Sequence, residues 1–308
     1  MQISVVIPVF NEEENIPILY KELKPVINEI SSRHEIIFIN DGSEDNSFKV
    51  LKKIRQKDRK IKIISFSRNF GHMSAVDAGI KYSQGKKVVI MDADLQDPPR
   101  IILKMYKKSL KGFDVVYGVK KKRKEGILKR FLFKTFYRIL NNIAKPKMPI
   151  DAGTFSIIDR KVVNILKNLP EKNKYFSGLR AWTGFSQTGI IYERDARYAG
   201  KPSSLKKLVK LALDGFFSFS YIPLRISSFL GFIFALISFL LIILVVILRI
   251  FFGAGIVGWA STISIILMMG GIQLITLGII GEYLARIYDE VKSRPEYIIS
   301  EKIGINKK

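Results

Sequence analysis

The stretch VVIMDADLQDPP, Val88–Pro99, runs four apolar residues straight into Asp92, Asp94 and Asp97. Such a run reads as a buried strand whose carboxyl end opens onto a polar site. The same arrangement recurs upstream. Ile3–Val9 leads into Asn11 and Glu12, Glu35–Asn40 into Asp41, and Ile61–Phe66 into Ser67 and Arg68. Helical periodicity fills the intervals at Glu13–Ser32, Asp45–Lys57, His72–Ser83 and Pro98–Leu110, and a further strand is expected at Asp114–Gly118. Alternating strands and helices predict a mostly parallel sheet covered by helices, an α/β fold. In such sheets the ligand crevice lies at the carboxyl ends of the strands. The polar residues that end these strands are therefore expected to share one site. Asp45 and Asp97 are expected to be helix caps, and His72 a helix N-terminal polar group.

Side chains two apart on an extended segment point the same way, so Asp92 and Asp94 share a face. Two carboxylates in one cleft repel unless a cation or a shared proton lies between them. The chain has no cysteine and two histidines, His34 and His72, which excludes thiolate and multi-histidine metal sites. A hard cation, Mg²⁺ or Mn²⁺, suits oxygen ligands and leaves coordination positions for a diphosphate. The phosphate-binding sequences GxGxxG after the first strand and GxxxxGK[ST] are both missing, so neither a dinucleotide oxidoreductase nor a P-loop NTPase is supported.

The 308 residues carry 51 Lys+Arg against 27 Asp+Glu, a net charge of +24. That excess points to a polyanionic neighbour: nucleic acid, an anionic membrane surface or a phosphorylated substrate. Charge is unevenly spread. Between Arg225 and Glu282 the one Asp, Glu, Lys or Arg is Arg249. Ile226–Leu248 is uncharged, and as a helix it spans roughly 35 Å against about 30 Å of hydrocarbon. Ile256–Gly281 is a second uncharged run. Two such runs predict a hairpin of transmembrane helices. The basic flanks place both ends and the catalytic domain on the cytoplasmic side of the cell inner membrane, a multi-pass topology. Ser204–Phe219 is expected to be an amphipathic helix on the membrane surface, and Tyr283–Lys292 a similar short one. No signal peptide is read at Met1–Phe10. The expected organisation is a catalytic domain at 1–200, a juxtamembrane helix at 201–225, spans at 226–252 and 256–281, and a cytoplasmic tail at 282–308.

Four segments carry a resemblance: VVIPVFNEEENI (Val5–Ile16), INDGSEDNS (Ile39–Ser47), RNFGHMSAVDAG (Arg68–Gly79) and DADLQDPP (Asp92–Pro99). They resemble the inverting family 2 glycosyltransferases of the GT-A fold. With the two spans, the whole chain resembles the polyprenyl-phosphate glycosyltransferases: the dolichol-phosphate mannose synthase group and, most closely, the bacterial bactoprenol glucosyltransferases. The resemblance implies a Rossmann-like GT-A domain and a donor pocket lined by Pro8, Phe10, Glu12, Asp41, Asp92 and Ala93. It implies Asp92, Asp94 and Gln96 at the metal, and Asp94, Asp151 and Asp159 as catalytic candidates. Lys120, Arg130 and Lys134 would meet the acceptor phosphate. Arg194, Arg197 and Lys201 would close over the donor diphosphate. AGKPSSL (Ala199–Leu205) departs from the usual Gly-x-Ser-Lys-Tyr at that place, which leaves those contacts open.

The implied reaction transfers a sugar from a nucleotide diphosphate, with glucose from UDP-glucose expected, to undecaprenyl phosphate. Mannose, N-acetylglucosamine and amino-arabinose donors stay open, as does a homo-oligomer. A processive polysaccharide synthase would need more spans and a QxxRW sequence, which Arg180-Ala-Trp182 is not. A lipid-binding scaffold has no use for carboxylates facing one cleft, and a nucleic-acid binder none for the spans.

Overall fold

All seven residues of β1 (Ile3–Val9) are buried. A strand hidden on both faces needs helices on both sides of its sheet. The computed structural model describes residues 1–120, 152–171, 174–194, 222–252 and 258–305. β1 pairs in parallel with β2 (His34–Asn40) and with β4 (Lys87–Ile90), and β2 pairs in parallel with β3 (Ile61–Phe66). Between and after these strands lie α1 (Asn15–Ile30), α2 (Ser47–Lys57), α3 (His72–Tyr82) and α4 (Arg100–Ser109). The remaining elements are β5 (Val115–Lys120), β6 (Ala152–Asp159), α5 (Arg160–Lys167), α6 (Phe176–Trp182), β7 (Gln187–Tyr192), α7 (Ile222–Phe252), α8 (Trp259–Val291) and β8 (Ile299–Ile303).

Among the described residues the sheet runs β7-β5-β6-β4-β1-β2-β3-β8. β6 and β8 are antiparallel to their neighbours, so the sheet is mostly parallel, as expected for a GT-A-like α/β fold. The chain reverses its direction of travel across the sheet between β1 and β4, which makes their carboxyl ends the topological switch point.

Alternate residues of β1 serve two cores. Ile3, Val5, Ile7 and Val9 pack with Leu19, Leu23 and Ile27 of α1, Leu51 of α2 and Met105 of α4. The other face carries α3, held so close that a Cβ on Gly79 would lie 2.1 Å from Val6 Cγ1. Each buried Ile, Val or Leu contributes about 1.5–3 kcal/mol.

The described residues divide into two units, Met1–Gly215 with Pro295–Lys308, and Phe216–Arg294. In the second unit α7 and α8 carry outward-facing Phe232, Phe251, Leu274 and Ile275. Among the described residues, by length and composition, one stretch, Ser264–Val291, is apolar enough to cross a membrane, while Ser227–Leu241 is a shorter apolar stretch. The expected pair of spans is therefore matched in one of its members. α8 continues to Val291, so Tyr283–Lys292 is mostly the end of a long helix rather than a separate short one.

Residues 282–308 are not a free tail. β8 pairs antiparallel with β3 and places Pro295–Lys308 in the first unit. Its Ile299 and Ile303 are half-buried while Ser300–Lys302 are exposed, the pattern of an edge strand guarded by charge. The amphipathic helix expected at Ser204–Phe219 lies outside the described residues.

Candidate active site

The carboxyl ends of β1, β2, β3 and β4 meet at one rim of the sheet. Past β1 the chain turns at Asn11, whose φ of 56° is a left-handed conformation that asparagine tolerates. Phe10 is left exposed, while Glu12 accepts a hydrogen bond from Asn15 Nδ2, and its backbone N–H donates to Ser47 Oγ at 2.8 Å. Pro8 is buried within β1 opposite Ile39.

Past β2, Asp41 is buried and stitches two loops together. Its backbone N–H donates to the Val9 carbonyl at 2.8 Å. Its carboxylate accepts the backbone N–H of Phe70 at 2.7 Å and of Gly71 at 2.9 Å. Burial pushes the Asp41 carboxyl above its ordinary range, with the two N–H donors pulling the other way. Gly42 follows with φ +64°, and a Cβ there would lie 2.3 Å from the Arg68 carbonyl carbon. Both the conformation and the closeness require glycine. Gly42→Ala is expected to lower stability by about 2 kcal/mol. A denaturation midpoint within error of the wild type would show that the two loops are not clamped there.

Asp92 and Asp94 follow the carboxyl end of β4. His72, the first residue of α3, sets Nε2 2.8 Å from Asp92 Oδ1. Burial pushes the Asp92 carboxyl up, but the His72 ring, with Lys120 and Arg194 farther off, outweighs it and holds it below the usual range. Burial likewise lowers the His72 ring, and Asp92 raises it further than that, with Asp41 and Asp94 adding to the rise. Asp94 Oδ1 accepts the Gln96 backbone N–H at 3.2 Å. Arg194, just past β7, holds Nη2 3.7 Å from Asp94 Oδ2 and Nε 3.6 Å from Asp97 Oδ1. Ala93 is buried between the two carboxylates. Leu95 has φ 59°, which is strained for a bulky side chain and bends the chain just past Asp94.

Two expectations change. Asp97 caps no helix: it is buried and accepts a hydrogen bond from the Tyr192 hydroxyl at 2.5 Å. Asp159 is not at the rim. The antiparallel register sets it opposite Lys87 at the start of β4, where it accepts the Lys161 backbone N–H and caps α5. A carboxylate so placed, and paired with Lys87 at 2.9 Å, serves a helix end rather than the crevice. Asp45 does serve α2, accepting the Ser47 N–H at 2.9 Å. Asp151, Arg130, Lys134, Arg197 and Lys201 lie outside the described residues.

A family model described as "Glycosyl transferase family 2" matches residues 4–166, more than half of the chain and all four of the strand ends just described. The chain belongs to glycosyl transferase family 2. Relatives extend the match over the full length. The uncharacterised glycosyltransferase YkcC of Bacillus subtilis (strain 168) is 45% identical over 310 residues, covering 100% of this chain and 96% of that one. The bactoprenol glucosyl transferase of Shigella phage SfX is 40% identical over 304 residues, covering 98% and 100%. Among solved structures, the glucosyl-3-phosphoglycerate synthase of Mycobacterium tuberculosis is 18% identical with a TM-score of 0.47, covering 68% and 76%. This family 2 protein is a glycosyltransferase.

In this glycosyltransferase the rim carries the carboxylates of Asp92 and Asp94, with the His72 ring beside Asp92. Among the described residues no group of three or more His, Asp or Glu side chains is gathered around one point. Mg²⁺ and Mn²⁺ typically take one or two protein carboxylates and leave the rest to phosphate and water, so a pair such as Asp92 and Asp94 is compatible with either ion. Three features of the site were not legible in the chain: the Tyr192–Asp97 bond, the strained Leu95 and the pairing of His72 with Asp92. Of these, only a histidine twenty residues before a carboxylate offers even a weak signal.

Proposed function

We propose that this glycosyltransferase moves glucose from UDP-glucose to a polyprenyl phosphate, undecaprenyl phosphate in bacteria, at the cytoplasmic face of the inner membrane. The observation that carries this reading is the likeness to bactoprenol glucosyl transferases over nearly the whole chain, apolar helices included. The exposed apolar side chains of α7 and α8 support a membrane hairpin, which would hold the crevice beside an acceptor whose phosphate sits at headgroup level.

The chemistry suits the rim. An oxygen of the acceptor phosphate attacks C1 of glucose, the bond from C1 to the diphosphate oxygen breaks, and UDP leaves with the electron pair, inverting C1. The phosphate monoester, with a second pKa of about 6, is largely dianionic at neutral pH, so no strong general base is required. Asp151 would then orient more than deprotonate. Pro8, Phe10, Glu12 and Asp41 are proposed to hold the nucleoside, and Asp92, Asp94 and Gln96 the metal. A divalent cation there supplies Lewis-acid stabilisation of the departing diphosphate. Arg194, which lies 3.7 Å from Asp94, is proposed to donate to the same oxygens, with Arg197 and Lys201 following it in the chain. Lys120 ends β5 at this rim and, with Arg130 and Lys134, is proposed to bring the acceptor phosphate in against the charge of the donor.

The test incubates the purified full-length protein with polyprenyl phosphate, Mg²⁺ or Mn²⁺ and a panel of radiolabelled nucleotide sugars. Label from UDP-glucose is expected in the lipid fraction. Label from GDP-mannose, UDP-N-acetylglucosamine or a UDP-amino-arabinose derivative instead would replace the sugar. Polymer in place of a lipid monoglucoside would point to a processive synthase, and no lipid label from any donor would overturn the reading. Excess chelator is expected to lower the rate by about a hundredfold or more, restored by Mn²⁺. An undiminished rate in chelator would remove the metal.

A further inference from the structure

The loop of residues 67–71, between β3 and α3, forms one wall of the crevice, and Asp41 holds it from the crevice side through the Phe70 and Gly71 amides. A different part of the chain holds it from behind. The Ser67 backbone N–H donates to the Ile298 carbonyl at 3.0 Å. The Tyr297 ring stacks on Phe66, centroids 4.8 Å apart and planes 13° apart. Phe66 in turn meets Phe70 edge-on at 5.8 Å, and the Arg68 guanidinium lies 4.4 Å over the Phe70 ring. Stacked and edge-on ring pairs each add about 0.5–1.5 kcal/mol beyond their buried area. A register shift in the β3–β8 ladder falls between Ser65 and Phe66, the place where the strand must aim Phe66 at Tyr297.

Residues 295–303 are anchored independently of the loop. Glu296 Oε1 lies 3.0 Å from Lys174 Nζ, whose other partner is Asp77 of α3 at 2.7 Å. Ser300 Oγ donates to the Ser65 carbonyl at 3.0 Å, and Lys52 meets Glu301 at 2.9 Å. The family match ends at residue 166, far short of this segment.

We propose that Tyr297, carried on this C-terminal strap, is a positioning residue for donor binding. Through Phe66 and Phe70 it keeps the 67–71 loop against Asp41, so that the nucleoside side of the crevice is preformed. The inference rests on the reading that the Asp41 side of the crevice takes the donor. It commits to an effect on donor binding and not on the transfer step, because Tyr297 reaches the loop only through Phe66, at the end of β3 behind it.

The experiment uses the full-length protein in detergent or nanodiscs with two readouts. The first is amide hydrogen exchange across residues 67–72, without any ligand. The second is kcat and KM for UDP-glucose, or for the panel member that labels the lipid in its place. Tyr297→Ala is expected to speed exchange at Phe70 and Gly71 by about tenfold while the β1 and β2 amides stay protected. It is expected to raise the donor KM by about tenfold with kcat within about twofold. Tyr297→Phe keeps the ring and should restore both. Glu301→Ala, at the far end of the strap, should change neither. Unchanged exchange at residues 67–72 in Tyr297→Ala overturns the proposal. So does faster exchange with an unchanged KM, or a fall in kcat that Tyr297→Phe fails to rescue. Exchange that quickens throughout β1 and β2 also overturns it, since the residue would then be serving the fold as a whole. A wild type inactive on UDP-glucose would defeat the donor reading alone, because the exchange experiment contains no donor.

Discussion

Asp94→Ala is expected to reduce sugar transfer by about a thousandfold or more while the protein stays folded. Asp94 sits at the switch point between β1 and β4, with Arg194 Nη2 3.7 Å away and the Gln96 N–H on its other oxygen. Neither contact holds an element of the sheet together, so removal of the carboxylate should leave the thermal midpoint near that of the wild type. What is lost is negative charge at the place where the proposed cation and diphosphate would meet. Asp159→Asn is the informative partner. Its carboxylate caps α5 at the other end of β4, so transfer should stay within about twofold while stability falls by about 1 kcal/mol. Equal losses of activity in both variants would mean that the rim is not the reacting centre.

Lys174→Met is expected to cost about 3–5 kcal/mol of stability at pH 8. Lys174 is 8% exposed and joins Asp77, 5% exposed, to Glu296, 15% exposed. Burial lowers the Lys174 ammonium, but the two carboxylates raise it further and keep it charged. With the ammonium gone, Asp77 keeps Lys81 at 2.7 Å, while Glu296 loses the lysine that held its carboxyl down. Burial, and then Asp77, already push Glu296 above its ordinary range. In the variant the Glu296 carboxyl would sit higher still in the folded state than in the unfolded one. The folded state then favours the protonated acid, so the deficit is full at high pH and shrinks as pH falls toward 5. Melting of the full-length protein at pH 5 and pH 8 checks the sign. A larger loss at pH 5 than at pH 8 would rule out this account, and adding Glu296→Gln to Lys174→Met should recover part of the loss.

The parallel half of the sheet was legible because burial on both faces leaves a plain trace. Ile3–Val9, Glu35–Asn40 and Ile61–Phe66 are apolar runs bounded by turn residues, and the structure ends these strands where those runs end. Glu12, Asp41, Asp92 and Asp94 were legible as strand-end residues for the same reason, since each lies within a few residues of the end of such a run. The two edge strands were not. β7 is QTGIIY, half-buried at most positions, and β8 is ISEKI, with three exposed residues in five. A short edge strand shows one weakly apolar face, so it reads as a loop or tail until its partner is known. Asp97 and Asp159 were misplaced because a carboxylate beside a helix start has the same local sequence whether it caps the helix or not. Only register, such as the pairing of Lys87 with Asp159, separates the two.

The bond from Ser300 to Ser65 spans 235 residues of chain. A ribosome makes β3 well before β8, with both apolar helices in between. Until β8 emerges, the outer side of β3 has no strand beside it, and an open edge of this kind is where another molecule's strand can attach. A truncated product that stops before Pro295 would keep every rim carboxylate and still present that open edge. Completion of the catalytic sheet thus waits on the far side of both apolar helices, and a chain cut before β8 leaves β3 uncovered on that side.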